Sequence, residues 1–169
     1  EMPILSKKDI KAISLAKEHN VRHFTLSFIR KKEDVLLFRE LFPEAIFYAK
    51  IETKDAVKNL QEILEVSPGI LIDRGDLSRE IPLEKIPLIQ KYIIAKAREK
   101  GKEVFVATNT LEKMSFSLKP DKSEANDIIN TLLDGATGIA LTKEIATGKY
   151  PIETLNMLLT LINQLTFLE

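Results

Sequence analysis

Gly69-Ile-Leu-Ile-Asp-Arg-Gly-Asp-Leu-Ser-Arg-Glu-Ile-Pro82 is the stretch that decides the fold. Ile70 to Ile72 form a short apolar run that stops abruptly at Asp73, Arg74, Gly75 and Asp76. A buried strand that delivers charge to its C-terminal end is characteristic of parallel α/β proteins, where that end carries the chemistry. Just upstream, Ile46-Phe-Tyr-Ala-Lys-Ile-Glu52 repeats the pattern, with Lys50 and Glu52 at its end. Carboxylates, a lysine and an arginine at the ends of adjacent strands point to a metal-dependent site for an anionic substrate.

Outward from these two runs the pattern alternates. Ser6 is a plausible N-cap for a helix over Lys8 to Glu18, and His23 to Phe28 reads as a strand. Lys32 to Leu41 is helical, and Pro43 bars its continuation. Thr53 caps a predicted helix running through Val57, Leu60 and Ile63 to Leu64. Ile86 to Lys100 is helical, with Gly101 as its C-terminal stop. Glu103 to Ala107 is a strand, Ser123 to Leu133 a helix, Gly138 to Leu141 a strand, and Pro151 starts the final helix. Strands alternating with helices mean βαβ units and a parallel sheet. Near-continuous apolar strands are expected when both sheet faces are covered.

The strand ends share a character. They are Ser27 and Arg30; Lys50 and Glu52; Asp73, Arg74 and Asp76; Thr108 and Asn109; and Thr142 to Glu144. Successive polar ends suggest one shared catalytic face, as in a (β/α) barrel, although such a barrel has eight strands and about 250 residues. The expectation is therefore α/β, a partial (β/α) TIM-type barrel of about five parallel strands alternating with helices, with residues 1–169 forming a single domain.

Composition narrows the function. The chain has 169 residues, enough for one domain with a real core. Lys plus Arg and Asp plus Glu both total 25, so the net charge is +0 and nothing electrostatic argues for nucleic acid or an anionic membrane. With Cys 0, disulfides and thiolate metal sites are excluded. No signal peptide or bilayer-spanning run is visible, and the Leu-rich stretch from Leu155 to Leu168 reads as an amphipathic helix. The cytoplasm is the default setting. His19 and His23 read as structural rather than metal-binding.

Each candidate residue also has a plainer reading. Lys50 and Glu52, two apart on one strand face, could form only a surface ion pair. Asp76 could cap a turn with Gly75, and Thr108 could cap its loop. Asp73 reads either as an added ligand or as a partner of Arg74 or Lys50, and Lys143 with Glu144 as a solvated pair.

With these residues in view, the sequence resembles the second part of the catalytic barrel of pyruvate kinase. The resemblance is carried by Ser27-Phe-Ile-Arg30 with Glu33-Asp34-Val35, Lys50-Ile-Glu52, Arg74-Gly-Asp76 with Glu80-Ile-Pro82, and Ala107-Thr108 with Leu111-Glu112 and Met114. Leu133-Asp-Gly-Ala136 and Gly148-Lys-Tyr-Pro151 complete it, in the family's order and over nearly the whole chain. The resemblance implies that Glu52 and Asp76 hold Mg²⁺ or Mn²⁺ and that Lys50 lies near the transferred phosphoryl group and the enolate. It implies that Thr108 lies beside the carbon that is protonated. Arg74, Gly75 and Asp76 would approach the substrate carboxylate. It implies phosphoenolpyruvate or pyruvate, with ADP or ATP, as substrates, and K⁺ as a further cofactor whose usual ligands fall largely outside this chain. Phosphoryl transfer needs charge neutralisation and positioning more than covalent chemistry, which suits these residue types.

The departures matter too. Asp73 stands where the family has a small residue, Ser78-Arg79 replace a Gly-Val-like pair, Asn109 replaces a glutamine, and Thr142 to Ile145 replace a Ser-Gly-Glu-Thr-like loop. The family's first three barrel strands, its lid and its C-terminal domain have no counterpart here. Activity is therefore expected to need a missing barrel half, a partner segment or an oligomer. Two other readings compete: a lyase or aldolase acting on pyruvate enolates, and a non-catalytic binding module on a decayed site.

Overall fold

The computed structural model describes residues 4–165. Along the chain, strands and helices alternate: α1 (Lys7–Glu18), β1 (His23–Leu26), α2 (Lys32–Leu41), β2 (Ile46–Ile51), α3 (Lys54–Lys58), α4 (Leu60–Val66), β3 (Gly69–Asp73), α5 (Arg74–Glu80) and α6 (Ile86–Glu99). Beyond these lie β4 (Glu103–Ala107), α7 (Lys122–Leu133), β5 (Gly138–Ala140), α8 (Lys143–Ala146) and α9 (Pro151–Leu165). The chain divides into two compact units, one up to Val104 and one from Phe105 onward. Within each unit the strand pairings are parallel: β1 with β2 and β2 with β3 in the first, β4 with β5 in the second.

In the first unit the helices begin and end where local chemistry dictates. Ser6 and Asp9 form a reciprocal capping box on α1: Ser6 Oγ accepts the Asp9 N–H at 3.2 Å, and Asp9 Oδ2 accepts the Ser6 N–H at 2.7 Å. Asn20, at φ 56°, closes α1 in place of a glycine, and the Val21 N–H donates back to the Ala16 carbonyl at 2.9 Å. Gly101, at φ 63°, does the same for α6, with the Lys102 N–H reaching the Ala97 carbonyl.

The helix expected to run from Thr53 to Leu64 is divided. Asn59 separates α3 from α4, and its Nδ2 donates to the Arg30 carbonyl at 2.9 Å. Asn59 ends α3 and stands at the N-cap position of α4 while its side chain is tied to a neighbouring loop, which periodicity does not reveal. Two short helices add to the expected set. α5 continues from β3 without a loop, and α8 occupies the polar stretch expected to be the end of the last strand. Both have fewer residues than a hydrophobic period can mark.

The first unit's core is built on the buried residues Phe47, Ala49, Ile51, Ile70 and Ile72 of β2 and β3. Phe38 of α2 meets Phe47 edge-on and Phe24 at a tilt, each with ring centroids 5.4 Å apart, a favourable geometry for aromatic pairs. Tyr48 pairs in register with Gly69, whose missing side chain leaves room for the tyrosine ring. The Tyr48 hydroxyl then donates to Glu103 Oε2 at 2.6 Å.

In the second unit Leu111, Met114, Ile128 and Leu158 form the buried core, with Ile139, Leu132 and Ile162 packed against it. α9 is amphipathic as expected, burying Thr154 and Leu158 and exposing Ile152 and Leu159; residues 166–168 of the expected helix lie outside the described residues. No helix among the described residues is long and apolar enough to cross a membrane.

Candidate functional site

The parallel register of β2 and β3 sets Lys50 opposite Leu71 and Ile51 opposite Ile72. One step further, Glu52 and Asp73 leave the two strands side by side. Ile51 and Ile72 point into the core, so the alternation of a strand turns Lys50 and Glu52 to the other face. The pair that spacing alone would allow as a surface contact is instead largely buried: Glu52 is 1 % exposed.

Lys50 is the hub of this cluster. Its Nζ lies 2.7 Å from Glu52 Oε2 and 3.0 Å from Asp73 Oδ2. Burial works against the charge on Lys50, but the two carboxylates outweigh it and hold its pKa above the ordinary lysine value. Asp73, open from the sequence as an added ligand or as a partner of Arg74 or Lys50, does pair with Lys50. Asp73 also caps α5, with Oδ1 accepting the Gly75 N–H at 3.1 Å.

Glu52 is held from a second direction as well. Its Oε1 accepts the Phe28 N–H at 2.6 Å, and Phe28 presents that N–H from a left-handed backbone, φ 57°. A bulky residue at positive φ is strained, and such strain gathers where the backbone is committed to a task. Glu52 Oε2 is buried and accepts no well-aligned hydrogen bond, although Lys50 Nζ is within ion-pair distance. An acceptor satisfied by charge proximity alone retains lone pairs for a cation.

Asp76 lies in the first turn of α5 and pairs with Arg79 at 3.0 Å. Ligand oxygens from Glu52, Asp73 and Asp76 all lie within 4.8 Å of one another. An all-oxygen donor set is what Mg²⁺ or Mn²⁺ prefers, and the buried Oε2 of Glu52 supplies a donor with spare capacity, so the residues fit such an ion. The sequence singled out Glu52 and Asp76 as expected ligands and left Asp73 open; the register of β2 and β3, which no linear spacing displays, sets Asp73 beside Glu52.

The remaining candidates lie on α5 and in the second unit. Arg74 opens α5, and its Nη1 donates to Gln90 Oε1 of α6 at 3.4 Å. The Gly75 N–H is taken by Asp73 Oδ1. Thr108 lies in the second unit, immediately after β4, with φ 73°. A β-branched residue in that region is a genuine outlier, and Asn109 beside it shares the conformation at φ 56°. Lys143 and Glu144 do not form the solvated pair expected from the sequence. Lys143 pairs with Glu112, while Glu144 is buried and accepts from Thr142 Oγ1 at 2.9 Å.

A cleft of about 650 Å³ in the first unit is bordered by Ser27, Phe28, Arg30, Thr53 and Glu80, but by none of Lys50, Glu52, Asp73 and Asp76. The convergence of charge, rather than this hollow, marks the candidate site.

Parallel strands alternating with helices, with a lysine and carboxylates gathered at strand ends, define an α/β domain of the (β/α) barrel class. The chain matches the family model for the barrel domain of pyruvate kinase over residues 1–155, and it belongs to the pyruvate kinase family. It is 43 % identical over 158 residues to a pyruvate kinase of Thermotoga maritima, covering 91 % of this chain and 34 % of that protein. It is 40 % identical over 172 residues to a pyruvate kinase of Dictyostelium discoideum, covering 99 % of this chain and 34 % of the relative. A pyruvate kinase of Rattus norvegicus is 42 % identical over 161 residues, covering 93 % of this chain and 28 % of its own length. The chain thus spans about a third of the length of the curated relatives it matches. Its parallel strands and alternating helices constitute a partial barrel of the pyruvate kinase type.

Proposed function

We propose that this chain forms the part of a pyruvate kinase-type enzyme that grips a divalent cation and the anionic substrate, phosphoenolpyruvate or pyruvate. The proposed reaction is phosphoryl transfer between phosphoenolpyruvate and ADP. The observation that carries the reading is the gathering of Lys50, Glu52, Asp73 and Asp76 about the ends of β2 and β3, with Glu52 Oε2 buried and free of aligned hydrogen bonds. The family relationship supports phosphoryl transfer over the lyase and binding-module readings.

In this reading Glu52 and Asp76 hold Mg²⁺ or Mn²⁺. The bound ion supplies charge neutralisation to phosphoryl and enolate oxygens. Lys50 brings a compact positive charge to the same oxygens, and its raised pKa keeps that charge at neutral pH. The Phe28 N–H orients Glu52 by fixing Oε1 and leaving Oε2 to face the cluster. The backbone around Arg74 and Gly75 receives the substrate carboxylate, and Thr108 is the proposed catalytic hydroxyl, held in place by its constrained backbone. K⁺, a completing barrel segment or further copies of the chain, and a cytoplasmic setting belong to the same proposal.

The test is calorimetric titration of Mn²⁺ into the purified chain, with and without oxalate, which mimics the pyruvate enolate. Binding strengthened by oxalate and abolished by Glu52→Ala is expected. Weak binding indifferent to oxalate and to Glu52 would overturn the reading.

A further inference from the structure

Lys50 Nζ and the Gly75 N–H are donors that this cluster could offer to an incoming anion, and one side chain occupies both. Asp73 Oδ2 lies 3.0 Å from the ammonium, and Asp73 Oδ1 accepts the Gly75 N–H at 3.1 Å. The carboxylate bridges them much as a bound carboxylate ligand would. Its side chain is largely withdrawn from water, 16 % exposed, as is that of Lys50. Beside it, Glu52 pairs with the same lysine, Asp76 pairs with Arg79, and the adjacent Arg74 donates to Gln90.

We propose that Asp73 is an internal anion that competes with the oxygens of the anionic substrate for Lys50 and the Gly75 N–H, and so sets the site's selectivity for anionic ligands. This inference rests on the function proposed above. A ligand anion entering the cluster must displace Asp73 from both donors or accept a like charge at contact distance, and like-charge juxtaposition is how sites reject partners. The same carboxylate has the opposite effect on a cation, since it adds one more oxygen to the group that lies within 4.8 Å. Asp73 therefore strengthens metal binding and weakens anion binding. A residue that served only to hold the fold would, when removed, weaken both.

The opposite signs make the experiment decisive. Mn²⁺ is titrated into wild type, Asp73→Asn and Asp73→Ala, and oxalate is then titrated into each Mn²⁺-saturated protein. Asn keeps the size and the oxygen that caps α5, so it removes charge without removing the cap. Ala checks that the effect belongs to the carboxylate. Oxalate is expected to bind about tenfold tighter or better to both variants while Mn²⁺ binds several-fold more weakly. Unchanged or weaker oxalate binding to Mn²⁺-loaded Asp73→Asn would overturn the proposal and leave the metal reading standing. If wild type binds no Mn²⁺, the metal reading falls by itself. Oxalate titrated without metal then decides Asp73, with tighter binding to Asp73→Asn in support and equal or weaker binding against.

Discussion

Gly69→Ala tests whether the close fit of β2 against β3 aligns the site. A Cβ at position 69 would stand 2.6 and 2.7 Å from two ring carbons of Tyr48 and 3.2 Å from the Glu103 carbonyl oxygen. Both ring distances are far inside van der Waals contact, so the tyrosine must swing away. Overpacking of this kind costs about 1–3 kcal/mol. Swinging also breaks the Tyr48 to Glu103 hydrogen bond, which adds about 1 kcal/mol. Alanine recovers about 0.5–1 kcal/mol by being less flexible than glycine in a strand. The net expectation is a loss of about 2 kcal/mol. Urea denaturation monitored by far-ultraviolet circular dichroism measures it. The double variant with Tyr48→Ala supplies the control, because a methyl group there removes the ring clash and leaves only the milder 3.2 Å approach to the Glu103 carbonyl oxygen. A loss below about 0.5 kcal/mol, or a loss of the same size in the Tyr48→Ala background, would refute the reasoning. The rung matters to the site because Tyr48 with Gly69 opens the ladder whose last pair, Ile51 with Ile72, directly precedes Glu52 and Asp73.

Two further outcomes rest on the same structure. The hydrogen bond to Glu103, then burial and the glutamate's charge, raises the pKa of Tyr48 above its usual 10.0. A raised folded-state pKa means that its contribution to stability is whole below about pH 10 and fades as pH climbs through the shifted value. Ultraviolet phenolate titration should find one late-titrating tyrosine that Tyr48→Phe removes, and a set of tyrosines titrating together would count against it. Gly148→Ala would drive a Cβ into the Glu144 carbonyl oxygen, a backbone atom that cannot turn aside. Loss of hydrogen-exchange protection across α8 and a stability loss of about 3 kcal/mol are expected, and protection equal to wild type would contradict the close approach.

Much of the fold was legible along the chain because its signals are local. Ser6 and Gly101 act on backbone groups within a few residues, and the apolar runs of β2 and β3 declare themselves by composition. Asn59 was not legible as a break, since its side chain answers to Arg30, which is distant in sequence. Glu144 looked solvated beside Lys143, yet the short helix α8 turns one residue toward Glu112 and buries the other. The candidate site divides in the same way. Lys50 with Glu52 and Arg74 with Asp76 stand out because each pair puts charge at the end of an apolar strand. The Phe28 N–H on Glu52 and the left-handed backbone of Thr108 leave no mark in residue spacing.

The sequence by itself determined the α/β alternation, the polar strand ends and the family, because each is written in short-range pattern and residue identity. Only the tertiary structure decided that Asp73 would join Glu52 at Lys50, that Oε1 of Glu52 would be tied to Phe28 while Oε2 stayed unaligned, and that the Gly75 N–H would be taken. The reason is that strand register and helix docking, set by packing across distant residues, fix which lone pairs and N–H groups meet.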